Sequence, residues 1–160
     1  MSIALRDVTP EDEPFLRDVY ASTRAAEMEM VPWSEEQKAA FLKFQFEAQD
    51  SHYRSQFAAD FQIIMNAGAP VGRFYLLRKA DEIRILDITI LPEWRSQGIG
   101  TSLIGQLLDE AGERAVTIWV ENFNPSQSLF RRLGFAVVQE EGFNQLLEFR
   151  ALAEDCAIES

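Results

Sequence analysis

The first third of the chain has hydrophobic residues at helical spacing behind a helix-start signal. Thr9-Pro10-Glu11-Asp12 combines a threonine N-cap, a proline in the first turn and an acid three residues after the cap. The apolar positions that follow are Phe15, Leu16, Val19 and Tyr20. Their spacing predicts an amphipathic helix.

A second helix start lies at Ser34-Glu35-Glu36-Gln37, a capping box that follows the break at Pro32-Trp33. The apolar residues behind it are Phe41, Leu42, Phe44 and Phe46. They point in too many directions for one narrow stripe. We therefore expect one face of this helix to pack on the core and another to line a pocket or a partner surface.

Strand-like patterns alternate with two further helices in the rest of the chain. Runs of β-branched and aromatic residues between turn residues predict strands, at Ser2–Arg6, Phe61–Met65, Val71–Leu77, Ile83–Leu91, Val116–Val120, Phe135–Val138 and Leu146–Phe149. The two helices follow Gly98-Ile99-Gly100 and Asn124-Pro125, and Gly134 ends the second. This mixed order predicts one α/β (α+β) domain over residues 1–150, with a mixed central sheet of about six to seven strands and helices on both faces. Residues 151–160 form an acidic tail.

Composition and charge exclude several classes of protein. One cysteine in 160 residues leaves no intramolecular disulfide framework and no multi-cysteine zinc site, and we expect no metal. No apolar run reaches the roughly 18 residues of a membrane span. The net charge of −11 argues against nucleic-acid binding and favours cationic substrates only weakly, since solubility explains it equally well. The first residues lack a signal-peptide layout, which favours a cytoplasmic location, and a homodimer remains open.

The segment with the clearest chemistry is a strand, a glycine-rich turn and a helix between Ile83 and Ala111. Unbonded N–H groups at a helix N-terminus, together with the helix dipole, make an anion site. Gly98 and Gly100 allow a phosphate to approach the backbone, Thr101 adds a hydroxyl, and Arg95 adds a charge. By itself this pattern fits a tight turn equally well, and it is neither a Walker A loop nor a dinucleotide fingerprint.

Two longer motifs extend this evidence. Residues 91–103, Leu-Pro-Glu-Trp-Arg-Ser-Gln-Gly-Ile-Gly-Thr-Ser-Leu, contain Arg-x-x-Gly-x-Gly at the start of a helix. The second motif lies downstream of the next predicted strand, at residues 124–135, Asn-Pro-Ser-Gln-Ser-Leu-Phe-Arg-Arg-Leu-Gly-Phe. The first resembles the acyl-CoA-binding motif of the GNAT acetyltransferase superfamily, and the second resembles that family's Asn-Pro-x-x-x-Leu-Tyr-x-x-Leu-Gly-Phe motif. The resemblance covers Ser2 to Arg150.

The resemblance implies a site for acetyl-CoA. The diphosphate would rest on the backbone amides of the glycine turn, and the pantetheine arm would run along the end of the preceding strand. The residues that the resemblance assigns to the cofactor are Ile88, Thr89, Ile90, Arg95, Ser96, Gln97, Gly98, Ile99, Gly100, Thr101 and Asn124. Asn124 is also an ideal helix N-cap, so for this residue both interpretations stay open.

The implied activity is transfer of an acetyl group from acetyl-CoA to a primary amine of a small molecule or peptide, by direct attack in a ternary complex. Phe130 stands where the family often has a tyrosine that protonates the leaving sulfur. A thiol of pKa ~8.5 leaves as thiolate at pH 7 for about 2 kcal/mol, which slows the step without closing it. The alternative is an acyl-CoA-binding module that has lost catalysis with this acid.

The remaining candidates are a general base and the acceptor-binding residues. Deprotonating an amine of pKa ~10.4 at pH 7 costs about 4.6 kcal/mol, so we expect a carboxylate to act as the general base. Asp87 and Glu121 are the candidates, and Glu82 is expected in an exposed turn. Both candidates also have a structural explanation. Asp87 would bind the backbone or an arginine, and the Glu121 carboxylate would simply be solvated. The acceptor-side candidates with chemistry beyond packing are Trp33, His52, Tyr53 and Arg73.

Overall fold

The computed structural model describes residues 2–56, 58–122, 124 and 126–151. The strands are β1 (Ile3–Asp7), β2 (Ala59–Asn66), β3 (Ala69–Arg78), β4 (Glu82–Ile90), β5 (Ala115–Glu121), β6 (Ala136–Glu141) and β7 (Asn144–Phe149). The α-helices are α1 (Glu13–Glu29), α2 (Glu35–Arg54), α3 (Ile99–Ala111) and α4 (Gln127–Arg132). Short 3-10 turns at Pro10–Asp12 and Pro92–Trp94 precede α1 and the glycine turn. Apart from Ala151, the predicted acidic tail lies outside the described residues.

The seven described strands form one mixed sheet in the order β1-β2-β3-β4-β5-β7-β6. The β4 and β5 strands are parallel, and β5 pairs antiparallel with β7, which pairs antiparallel with β6. A parallel neighbour requires a crossover connection, and α3 provides it. The mixed α/β domain expected from the sequence is confirmed. None of the described helices has the length and apolar composition that crossing a bilayer requires.

The chain divides into two compact units, and the boundary cuts through β3 and β4. The first unit consists of the residues up to Tyr75 together with Ile88–Gln97. The second unit consists of Leu76–Asp87 and the residues from Gly98 onward.

In the first unit, α1 and α2 bury one face each. Leu16, Val19 and Tyr20 of α1 are buried as predicted, and the Tyr20 ring meets the edge of Phe46 with centroids 6.2 Å apart. In α2 only Phe46 is fully buried, whereas Phe44 is 67% exposed. Phe44 therefore faces solvent, and the expectation that a second face of α2 lines a pocket or a partner surface stays a prediction.

In the second unit, the core lies between α3 and the strands that follow it. Leu103, Ile104 and Leu107 of α3 are buried as their spacing predicted. Alternate residues of β5 face this core, namely Val116, Ile118 and Val120. The terminal hairpin is held by aromatic contacts, because the Phe135 ring lies 5.1 Å from Phe130 and 5.8 Å from Phe149.

The last two strands are longer than the hydrophobic pattern predicted. The pairs Glu140↔Gln145 and Glu141↔Asn144 extend the hairpin with polar residues. Main-chain pairing does not depend on side-chain polarity, so a solvent-facing strand end carries little hydrophobic signal. A register shift between Val137 and Gln139 makes the spacing still less regular.

The start of α1 depends on a buried carboxylate. Asp12 accepts hydrogen bonds from the Thr9 N–H at 2.7 Å and from Arg6 Nη1 and Nη2 at 2.9 and 2.8 Å. The Arg6 hydrogen bonds, followed by those from Thr9, outweigh burial and hold the pKa of Asp12 far below its usual range. The predicted capping signal is confirmed, although it forms a 3-10 turn before α1 begins at Glu13.

Asp12→Asn is expected to lower the free energy of unfolding by about 2 kcal/mol, because the amide cannot make the charge-assisted pair with Arg6. The folded-state pKa is depressed, so the stabilisation is full above the unfolded pKa of ~3.9 and is lost as pH falls further. Urea denaturation at pH 7 and pH 3 measures the difference between variant and wild type. Asp18→Asn, on an exposed part of α1, is the control, and equal losses in both variants would contradict the assignment.

Candidate active site

The pairing of β4 with β5 stops partway along β4. In the second unit, Glu82–Ile85 pair in parallel with Ala115–Ile118, and no described pair between these strands continues beyond Ile85. The β4 strand itself runs on to Ile90. Its last five residues therefore continue as extended backbone after the ladder with β5 has ended.

Within the first unit, β3 holds the end of β4 at an unusually close distance. The Leu91 N–H donates to the Val71 carbonyl at 2.9 Å. A Cβ on Gly72 would lie 2.2 Å from the Thr89 carbonyl oxygen and 3.0 Å from the Ile90 Cα. Only glycine permits this approach, so Gly72 determines the position of Thr89 and Ile90.

The glycine turn carries a run of N–H groups that have no acceptor among the described residues. Ser96 and Gly98 are left-handed, with φ of 63° and 82°, and their N–H groups form no hydrogen bond with the described residues. The first N–H groups of a helix have no acceptor within it, and no side chain caps α3 at Gly98. Amides in such a turn at a helix start form a concave anion site.

Arg95 is tied to the strand that precedes this turn. Its Nε donates to the Ile90 carbonyl at 2.9 Å, while the residue remains exposed. The guanidinium charge is thereby fixed at the end of β4, in the residue that precedes Ser96.

The second motif begins with a hydrogen-bonded turn and contains a buried ring. Asn124 Oδ1 accepts from the Ser126 N–H at 2.9 Å, and the Asn124 carbonyl accepts from the Gln127 N–H at 3.1 Å. Asn124 therefore closes the turn that precedes α4, whose N-cap is Ser126, and its side-chain oxygen is used there. The Phe130 ring is completely buried.

Sequence and structure comparisons agree with this geometry. The sequence profile of the acetyltransferase (GNAT) family matches residues 16–135, well over half of the chain. The chain belongs to the GNAT family. Among curated protein sequences, none matches this GNAT chain.

Solved structures share the GNAT fold at low sequence identity. PaiA N-acetyltransferase from Thermoplasma acidophilum, in complex with coenzyme A, has a TM-score of 0.70 and 20% identity over 94% of this chain and 100% of its own. An acetyltransferase from Thermus thermophilus has a TM-score of 0.68 and 18% identity over 94% and 98%. Arabidopsis thaliana NAA60, with a bisubstrate analogue, has a TM-score of 0.58 and 16% identity over 93% and 98%.

Of the three acids considered from the sequence, Glu82 is engaged in a structural network. It was expected in an exposed turn, but it is half-buried and accepts from Thr117 Oγ1 and from Arg84 Nη2 at 2.9 Å. Burial alone would raise the pKa of Glu82, yet the bonds from Thr117 and Arg84 and the charges of Arg84 and Lys79 outweigh it and lower the pKa. An acid stabilised as its anion is a weak base.

The other two acids occupy different surroundings in this GNAT chain. Asp87 is half-buried in β4, two residues past the last pair with β5. Glu121 is the last residue of β5, and its exposed carboxylate makes no ion pair with the described residues. No group of three or more acids, histidines or cysteines among the described residues is arranged to hold a metal ion.

Three of the four acceptor-side candidates lie together in the first unit. Arg73 is 2% exposed, and its Nη2 donates to Gln49 Oε1 at 2.7 Å. Its guanidinium carbon lies 5.9 Å from the Tyr53 ring centroid and 5.2 Å from that of Tyr75. His52 is next to Tyr53, with ring centroids 6.2 Å apart, and is exposed.

Trp33 is separated from this cluster by α2. It packs on Phe41 at 5.3 Å near the start of the helix, whereas His52 and Tyr53 are in its last turn. At 1.5 Å per residue the two ends are about 28 Å apart, so one small acceptor cannot touch both.

Two features of the structure carried no sequence signal. In the sequence, Gly72 looks like any other glycine within a strand. It matters because the main chain of Thr89, which is distant in sequence, packs directly against it. A cavity of about 390 Å³ in the second unit is lined by Trp119, Glu141 and Asn144. The residues of this cavity come together only through the register of β5, β6 and β7.

Gly72→Ala is expected to destabilise the protein by about 1–3 kcal/mol, the usual cost of forcing an atom into a packed site. Urea denaturation measures the loss, and faster amide exchange at Leu91 would locate it at the β3–β4 contact. Gly105→Ala is the matched control, because a Cβ at Gly105 meets nothing within 4 Å and helix propensity favours alanine. Unchanged stability in Gly72→Ala would contradict the close approach.

Proposed function

We propose that this GNAT protein is an N-acyltransferase that moves an acetyl group from acetyl-CoA to a primary amine. The observation that carries the proposal is the run of unbonded amides from Ser96 into the first turn of α3. It follows a strand whose ladder with β5 has already ended. The anion site at the start of α3 therefore comes directly after the extended end of β4. This arrangement suits a ligand with a diphosphate for the amides and an amide-bearing arm for the strand.

The chain's own residues fit such a ligand. The amides of residues 96–101 would hold the diphosphate, with the Thr101 hydroxyl and the Arg95 charge beside them. The pantetheine arm would run along the main chain of Ile88–Ile90, whose position Gly72 determines. The Asn124 amide nitrogen is the group left for a further contact. The PaiA N-acetyltransferase, which shares this fold, was solved in complex with coenzyme A, and this supports coenzyme A as the ligand.

Bound acetyl-CoA supplies an acetyl thioester, whose carbonyl carbon forms the new C–N bond as the C–S bond breaks and coenzyme A leaves. The acceptor nitrogen must first lose a proton, and Glu121 is the favoured base because its carboxylate has no ion pair among the described residues. Asp87 is the alternative base. Phe130 offers no proton to the sulfur, so thiolate departure costs about 2 kcal/mol that a tyrosine would save.

A second candidate function is a non-catalytic acyl-CoA-binding module. The observation that favours it is the complete burial of Phe130 against Phe135, which leaves this position purely structural. Both functions need the same amides, so binding of coenzyme A does not distinguish them. Turnover does.

Incubation of the protein with acetyl-CoA and a panel of primary amines is expected to release free thiol and an acetylated amine. Thiol detection measures the rate, and mass spectrometry identifies the product. Protein that binds acetyl-CoA but releases no more thiol with any amine than without one would contradict the enzyme and favour the module.

Gly98→Val is expected to abolish coenzyme A binding while the fold survives. The left-handed φ of 82° strains a β-branched residue by about 1–3 kcal/mol, and relief of that strain turns the amides away. Gly68→Val is the matched control, because Gly68 has a φ of 87° in the β2–β3 turn and a Cβ there, as at Gly98, would meet nothing within 4 Å. Calorimetric titration with coenzyme A should show binding in Gly68→Val alone, and retained affinity in Gly98→Val would exclude this diphosphate site.

A further inference from the structure

We propose that the cavity lined by Trp119, Glu141 and Asn144 binds a second, non-reacting ammonium group of the acceptor, so that alkyl diamines are preferred over monoamines. The inference rests on the proposed acetyl transfer and names its substrate class. All three residues belong to the second unit, and none was singled out by the sequence. The cavity has a volume of about 390 Å³ and is open to solvent.

The register of the last strands puts these side chains on one face of the sheet. Asn144 of β7 is paired with Glu121 of β5 on one side and with Glu141 of β6 on the other. Paired residues of antiparallel strands lie on the same face, and so do residues two apart along a strand. Trp119, two residues before Glu121, is therefore on this face as well. Glu140 lies on the opposite face, where its carboxylate accepts from Gln145 Nε2 at 3.1 Å.

The chemistry of the lining selects a cation. An indole ring attracts an ammonium group to its face, a carboxylate pairs with it, and an amide oxygen accepts one of its hydrogens. Trp119 is half-buried, while Glu141 and Asn144 are exposed, so the groups are accessible from solvent. A carboxylate-bearing acceptor would be repelled by Glu141.

Among the residues that the structure describes, cations compensate the negative charge of this face only at its other end. Glu82 is paired with Arg84 at 2.9 Å, and Glu148 is paired with Arg150 at 3.7 Å. Glu121 and Glu141 have no such cationic partner among the described residues. A dication would neutralise the end of the face that the protein itself leaves uncompensated.

The spacing of the two carboxylates suits a short diamine. Glu121 and Glu141 are two strand spacings apart, about 10 Å between backbones. With the distal ammonium held at Glu141 and the Trp119 ring, the other nitrogen is directed toward Glu121, the favoured base. The cavity then determines which amines are used without contacting the reacting atoms.

The test compares three acceptors of one chain length: 1,5-diaminopentane, n-pentylamine and 5-aminopentanoic acid. Wild-type kcat/KM is expected to be highest for the diamine and lowest for the amino acid. Glu141→Gln should lower kcat/KM for the diamine about tenfold, which is the usual effect of losing a hydrogen bond to a charged group. It should change kcat/KM for n-pentylamine by no more than about twofold. Glu140→Gln removes the same charge from the opposite face and should change neither value.

Equal use of diamine and monoamine, or equal effects of Glu141→Gln and Glu140→Gln on the diamine, would overturn the inference. If no amine is acetylated at all, the proposed function fails, and calorimetric titration with 1,5-diaminopentane tests the cavity separately. Binding that Glu141→Gln weakens and Glu140→Gln preserves would support a diammonium site. Absence of binding to the wild-type protein would overturn it.

Discussion

The change in main-chain hydrogen bonding along β4 is the constraint on which the rest of the site depends. Up to Ile85 the strand is bound into a parallel ladder with β5, and beyond it the described ladder ends. Close packing on Gly72 then keeps Thr89 and Ile90 extended, so that the turn at Ser96 and Gly98 starts from a defined position.

Charged side chains divide into two groups with different consequences. Asp12, Arg73 and Glu82 are buried or half-buried, and each has hydrogen-bond partners within the protein. Burying a charge is expensive without such partners, so these residues maintain the fold. Glu121 and Glu141 keep exposed carboxylates with no ion pair among the described residues. These two are the residues proposed above for chemistry with a cationic amine, whereas the partners of Arg73 favour a positioning role for it.

At Phe130 a packing role replaces the proton-donor role that a tyrosine often has at this position in the family. The ring completes a row of aromatic contacts with Phe135 and Phe149, which holds the terminal hairpin. A hydroxyl there would need a buried hydrogen-bond partner, whereas the phenyl ring packs without one. The proposed enzyme gives up a proton donor worth about 2 kcal/mol at the sulfur and keeps a well-packed core.

Local sequence signals determined the elements and the glycine turn proposed to bind the diphosphate. The Thr9 and Ser34 caps, the α3 stripe and the glycine turn are each encoded within a few neighbouring residues, and two motifs were enough to predict the fold. Helix length decided that Trp33 and His52 lie apart, and cross-strand register decided that Trp119, Glu141 and Asn144 share a cavity. Close approach decided that Gly72 matters. These relations join residues distant in the chain, and only backbone pairing and packing in three dimensions bring them together.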